Sequence, residues 1–128
     1  MLLDTHALLW LAIDDERLGA AARDRILAAP VVYYSAVSIS EIVIKHMLGR
    51  LALPGDEAFP GVFAQMGLTE LPFTARHADA LRAEPALLRH DPFDRMLLAQ
   101  AAAEHIGLVT SDRTLLELGH GWLHDARI

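Results

Sequence analysis

The sequence predicts an α/β domain of three layers, α/β/α, built on a central, mainly parallel sheet. Short apolar or β-branched runs alternate with longer helical stretches along the whole chain, the pattern of strands joined by crossover helices. No repeat, low-complexity tract or linker divides residues 1–128, which read as one domain. Hydrophobic residues make up 53% of the chain, enough to cover both faces of a buried sheet.

The elements follow in order. Met1–Asp4 reads as a short strand and Thr5–Ala12 as a helix. A second helix spans Gly19–Ala29, with Leu18, Ala22, Ile26 and Ala29 on one face. Pro30–Ser35 is β-branched and aromatic, a strand bounded by proline. Ser38–Leu48 is a helix closed by Gly49, and Ser38-Ile39-Ser40-Glu41 has the form of a capping box that starts it. Pro54, Gly55, Pro60 and Gly61 mark loops around one helix at Phe59–Met66. Leu68–Pro72 reads as a strand and Thr74–Ala83 as a helix. Asp91–His105 is the strongest helix, with Pro92 in its first turn and Gly107 beyond its end. Leu108–Thr110, Asp112–Leu118 and Trp122–Arg127 complete the pattern as strand, helix and strand.

Composition narrows the chemistry. With no cysteine, disulfide scaffolds, Cys-ligated zinc or iron–sulfur sites and thiol nucleophiles are excluded, and a reducing cytoplasm is the expected setting. No segment reads as membrane-spanning, because the apolar run Met1–Ile13 is short and interrupted by Asp4 and His6. The net charge of −6 argues at first against a nucleic-acid binder. Two bound divalent cations would bring it to about −2, so the argument weakens if several acids are metal ligands. Ten of the 11 basic residues are Arg, which favours bidentate contact with phosphate.

Four carboxylates occupy similar places. Asp4 ends the first strand, and Asp112 follows the strand Leu108–Thr110. Glu41 and Asp94 each fall in the first turn of a helix. In a parallel sheet the strand ends share one edge, where ligands bind, so Asp4, Glu41 and Asp112 are expected to converge there, with Asp94 joining them. Each acid alone is explained as a helix cap, and Asp91 is the better cap for its helix than Asp94. Capping does not explain several acids gathered at one edge, where like charges repel unless a cation sits between them. Mg²⁺ and Mn²⁺ take carboxylates plus water and leave positions open for phosphate oxygens. The reaction that follows is metal-assisted phosphodiester hydrolysis.

The same residues carry a family resemblance. Leu2-Leu3-Asp4-Thr5-His6-Ala7-Leu8-Leu9-Trp10 resembles the opening of PIN-domain ribonucleases, particularly VapC-type toxins of bacterial toxin–antitoxin modules. Ser35 to Ile42 with Lys45, His90 to Ala101, and Leu108 to Asp112 are similar to the family's later motifs, in the right order over nearly the whole chain. The resemblance implies a PIN-like fold, Mg²⁺ or Mn²⁺ in an acidic pocket, and endonucleolytic cutting of RNA. It carries over Asp4, Glu41 and Asp94 as core metal-binding acids and Asp112 as a fourth, with Thr5 and Ser111 as supporting residues. It also implies a homodimer and a cognate antitoxin. One departure is Ser40, where relatives often carry Trp before the second acid.

RNA needs positive charge near the site. Lys45, Arg50, Arg95 and Arg113 adjoin the motifs and are the candidates for substrate contact, Arg95 first because it follows Asp94. His120 and His124 are four apart, but Gly119 and Gly121 break any helix that would align them on one metal. Trp10, Tyr33, Tyr34 and Phe93 lie in apolar runs and read as core rather than as a base-stacking platform. Two other readings compete. A Mg²⁺-binding phospho-acceptor domain of the receiver kind wants a Lys at a late strand end, and the only lysine is Lys45 on an early helix. A non-catalytic partner-binding module predicts loss of a core acid, and all four are present.

Overall fold

The computed structural model describes residues 1–128. Five parallel strands form the sheet: β1 (Leu2–Leu3), β2 (Tyr33–Ser35), β3 (Thr69–Leu71), β4 (Leu108–Thr110) and β5 (Leu123–Asp125). Their order is β3-β2-β1-β4-β5. A receiver-type sheet runs 2-1-3-4-5 instead, so the phospho-acceptor reading is not supported. The helices are α1 (Thr5–Ala12), α2 (Ala20–Ala28), α3 (Ala36–Met47), α4 (Val62–Gln65), α5 (Ala75–Asp79), α6 (Pro92–Glu104) and α7 (Arg113–Leu116). Short 3-10 turns at Asp56–Ala58, Ala80–Ala83 and Pro85–Leu87 fill the connections. No helix is long and apolar enough to cross a membrane.

Alternation along each strand sends its side chains to opposite faces. Leu3, Tyr34 and Val109 join Ala7, Leu8, Trp10, Ala22, Ile26 and Phe63 on one side. Leu2 and Leu108 join Leu97, Leu98, Ala101 and Leu115 on the other. The expected three layers are therefore present, and α3 bridges them, with Ile42 in the first core and Val37 in the second. Trp10 and Tyr34 are buried as expected, while Tyr33 and Phe93 are partly covered at the margin of the second core.

The capping box at Ser38 is corrected by the structure. Ser35, at the end of β2, caps α3 by accepting from Val37 N–H at 2.9 Å. The helix therefore starts three residues early, directly off the strand. Ser38 becomes a buried helix residue, and Glu41 sits in the second turn rather than the first. Ser40 lies on the exposed side and donates to Ala36 O within its own helix, so no indole packs at that position. The helix predicted over Thr74–Ala83 is shorter, Ala75–Asp79, and tightens into the 3-10 turn that follows.

The C-terminal segment closes over the start of α2. Gly19 N–H donates to Ala126 O and Ala21 N–H to Ile128 O. A Cβ on Gly19 would lie 2.3 Å from the Ile128 backbone carbon and 2.5 Å from the Arg127 carbonyl, so glycine is needed for space alone.

Candidate functional site

Asp4 leaves β1 at its carboxyl end and caps α1, accepting from Ala7 N–H at 2.7 Å with Oδ1. Its Oδ2 accepts from Thr110 Oγ1 and Ser111 N–H, both at 2.8 Å. The side chain is 2% exposed and spans from β1 to the end of β4. Burial pushes this carboxyl above its ordinary value, opposed by the hydrogen bonds from Ala7, Ser111 and Thr110.

Asp94 and Asp112 meet beside it. Asp91 is the N-cap of α6, accepting from Phe93 and Asp94 N–H, so Asp94 is not needed as the cap. Asp112 caps α7 by accepting from Leu115 N–H at 2.9 Å. Burial, then a hydrogen bond shared with Asp112 and the charges of Asp112, Asp91 and Asp4, push the Asp94 carboxyl up to about 8. Burial also raises Asp112, but the Leu115 N–H, Asp94 and His90 together hold it below its ordinary value. The two carboxyls are therefore driven apart, Asp94 upward and Asp112 downward, because they sit against each other. One residue here was missed in the sequence: His90, whose Nε2 lies 2.9 Å from Asp112 Oδ2 and 3.8 Å from Asp94 Oδ2. Its signal was the four-residue spacing to Asp94 across a helix start, inside a motif already singled out.

Glu41 approaches from α3. One turn before it, Ser38 Oγ accepts from Thr5 Oγ1 at 2.9 Å, which ties α3 to the residue after Asp4. Glu41 Oε2 accepts from Lys45 Nζ at 2.6 Å, whereas Oε1 is buried without any hydrogen-bond partner. An unpaired buried oxygen costs on the order of 1–3 kcal/mol, more when charged, and a cation is a partner that relieves it. The donor set, carboxylate oxygens with one imidazole, fits a divalent ion. Ligand atoms of His90, Asp94 and Asp112 lie within 4.8 Å of one another; Asp4 acts on Asp94 through its charge, and Glu41 stands outside that group of three.

The supporting and basic residues divide by position. Thr5 and Ser111 are buried, and Ser111 Oγ lies 3.4 Å from His6 Nδ1. Lys45 and Arg50 line a groove of about 630 Å³ with His6, Trp10 and Arg17. Arg127 braces the Asp112 loop by donating to Ser111 O at 2.6 Å, and its guanidinium lies 5.4 Å from the Trp10 ring centroid. Arg113 is exposed at the start of α7. Arg95 donates to Leu88 O at 3.2 Å and lines a different groove with Leu81 and Glu84. His120 pairs with Glu84 at 2.7 Å and stacks on Trp122, with no metal group shared with His124.

The comparisons bear on the fold. The chain is similar in fold to a toxin–antitoxin complex from Klebsiella pneumoniae, with a TM-score of 0.64 and 18% identity over 98% of this chain and 96% of that one. It is also similar to VapBC2 from Rickettsia felis, solved bound to a DNA fragment from its promoter, with a TM-score of 0.64 and 14% identity over 96% and 94% of the two chains. No curated protein matches the sequence. A sequence profile described as PIN domain matches residues 1–121, nearly the whole chain, and the chain belongs to the PIN-domain family.

Proposed function

We propose that this protein is a metal-dependent endoribonuclease that acts as the VapC-type toxin of a toxin–antitoxin pair. The observation that carries the reading is the crowding of Asp4, Asp94 and Asp112 at the carboxyl edge of the sheet, with too little positive charge to balance them. Asp4, Glu41, Asp94 and Asp112 are the acids proposed to hold Mg²⁺ or Mn²⁺. When bound, such an ion lowers the pKa of an attacking water and offsets charge on the phosphate. Thr110 and Ser111 hold Asp4 fixed through its Oδ2, and Thr5 locks α3 through Ser38, so Glu41 is presented by a rigid helix. Lys45, paired with Glu41 in the structure, is proposed to release it and meet a phosphate, and Arg50 lines the same groove as a second proposed contact. Arg95 and Arg113 are proposed as outlying RNA contacts.

An antitoxin partner is supported by the two solved neighbours, both from toxin–antitoxin systems. Ile13, Leu27, Met47, Leu48 and Leu88 are exposed, and a homodimer or an antitoxin is proposed to cover some of them. The cysteine-free composition suits a cytoplasmic protein. The test is incubation of total RNA with antitoxin-free protein and Mg²⁺ or Mn²⁺, beside Asp94→Asn. Cleavage that requires metal and is lost in the variant supports the reading. Absence of cleavage together with absence of metal binding overturns it in favour of a non-catalytic binding module.

A further inference from the structure

We propose that His90 is a nitrogen ligand of the metal site, and that it biases the site toward Mn²⁺ over Mg²⁺. The inference rests on the metal-dependent reading above and names the ion it selects. His90 Nε2 points between the two carboxylates, 2.9 Å from Asp112 Oδ2 and 3.8 Å from Asp94 Oδ2. Neighbouring donors around an octahedral ion with bonds of about 2.1 Å are separated by about 3 Å, and opposite donors by about 4.2 Å. The first distance matches neighbouring donors and the second lies a few tenths of an ångström short of opposite ones, so small shifts let all three groups share one ion. The ring is 22% exposed and turned into the cluster rather than toward solvent, and no other side chain competes for Nε2.

The fold also fixes where the ring can go. His90 is joined to the Pro85–Leu87 turn by its own N–H, which donates to Leu87 O at 2.9 Å. Two residues later Pro92 opens α6, whose N-cap Asp91 holds Phe93 and Asp94 N–H. His90 and Asp94 therefore sit on either side of a stiff helix start, and their separation is set by the backbone. Imidazole is a common ligand for first-row transition ions, whereas Mg²⁺ keeps to oxygen and gives up its water reluctantly. An all-oxygen pocket discriminates weakly between Mg²⁺ and Mn²⁺; one nitrogen among the oxygens changes that.

The test is pulsed electron paramagnetic resonance of Mn²⁺ bound to the full chain, with Mn²⁺ and Mg²⁺ affinities measured by calorimetry. The variants are His90→Gln, which keeps a donor toward Asp112 but offers no imidazole, and His105→Gln as a control. Expected are a coupling of Mn²⁺ to an imidazole nitrogen in the wild type and in His105→Gln, its loss in His90→Gln, and a fall of about tenfold in the Mn²⁺ to Mg²⁺ preference. The wild-type spectrum stands whether or not His90→Gln folds. Bound Mn²⁺ without nitrogen coupling, or equal loss of affinity for both ions in His90→Gln, overturns the inference and leaves the nuclease reading intact. Failure of the wild type to bind either ion overturns both.

Discussion

The two ends of α6 carry the same pair of groups, a histidine against a carboxylate, and behave in opposite ways. At the C-terminal end Glu104 accepts from His77 Nε2 at 2.7 Å and from Arg76 at 2.5 Å, and these partners hold its carboxyl below the ordinary value. Arg76 also donates to Ala103 O, meeting the carbonyl end of the helix. At the N-terminal end one histidine faces two acids, a third lies close by, and Asp94 is forced up to about 8. The residue types alone do not separate the two ends. The count of charges differs: one carboxylate is paired with two partners at one end, and at the other end three acids share one histidine, so Asp94 is forced upward.

That contrast is breakable. Asp94→Asn is expected to lower RNA cleavage by about two to three orders of magnitude, the usual cost of removing an electrostatic element of an active site. Glu104→Gln is expected to leave cleavage within about twofold. Gel-based RNA degradation assays read both, and comparable losses would erase the distinction between the ends. Stability should run the other way. Without metal, Asp94→Asn relieves the crowding and is expected to raise the unfolding free energy by on the order of 1–2 kcal/mol at neutral pH. Glu104→Gln weakens the pairing of the buried His77 ring and should cost about 1 kcal/mol, reduced because water reaches Glu104. Adding Mn²⁺ should raise the melting temperature of the wild type and not that of Asp94→Asn, and a chelator should reverse the gain.

Stability against pH is the smallest and most specific effect. Asp94 binds its proton more tightly in the folded state, so the metal-free fold loses stability as pH rises above the ordinary carboxylate value of 3.8 toward about 8. Glu104 has the opposite sign: its contribution is present above the ordinary 4.5 and is lost as pH falls through its lowered folded value. Urea unfolding across this range should show a decline from about pH 4 to about pH 8 in the wild type, levelling above that, and a flatter line in Asp94→Asn. A decline that persists in Asp94→Asn would assign it to another group, Asp4 being the one with a raised carboxyl.

Most of this architecture is legible in the sequence because strand and helix lengths are short and clearly punctuated. Pro30, Pro92, Gly49 and Gly107 stand close to element boundaries, and Asp4, Asp91 and Asp112 all cap helices as their positions suggest. The start of α3 was hidden because Ser35, Ser38 and Ser40 all suit a cap, and only the direct hand-over from β2 selects Ser35. The same three-residue shift moved Glu41 into the second turn, and pattern alone does not report its unpartnered Oε1. Arg95 shows the limit of adjacency: following Asp94 in sequence places its side chain around the helix, against Leu88 O rather than among the acids. His90 escaped because its role depends on Asp112, 22 residues away in the chain.

Gly19 sits beside a run of three alanines, in a chain where alanine is among the commonest residues, yet alanine is the replacement it cannot take. A single methyl there would press on the backbone of Arg127, whose guanidinium steadies Ser111 and so the loop that carries Asp112. Drift at position 19, which touches none of the four candidate acids, would thus be transmitted through Arg127 and Ser111 to the position of Asp112. For the evolution of this chain, position 19 is a silent veto. It takes no part in chemistry, and it removes the easiest neutral mutation from the paths open to the sequence.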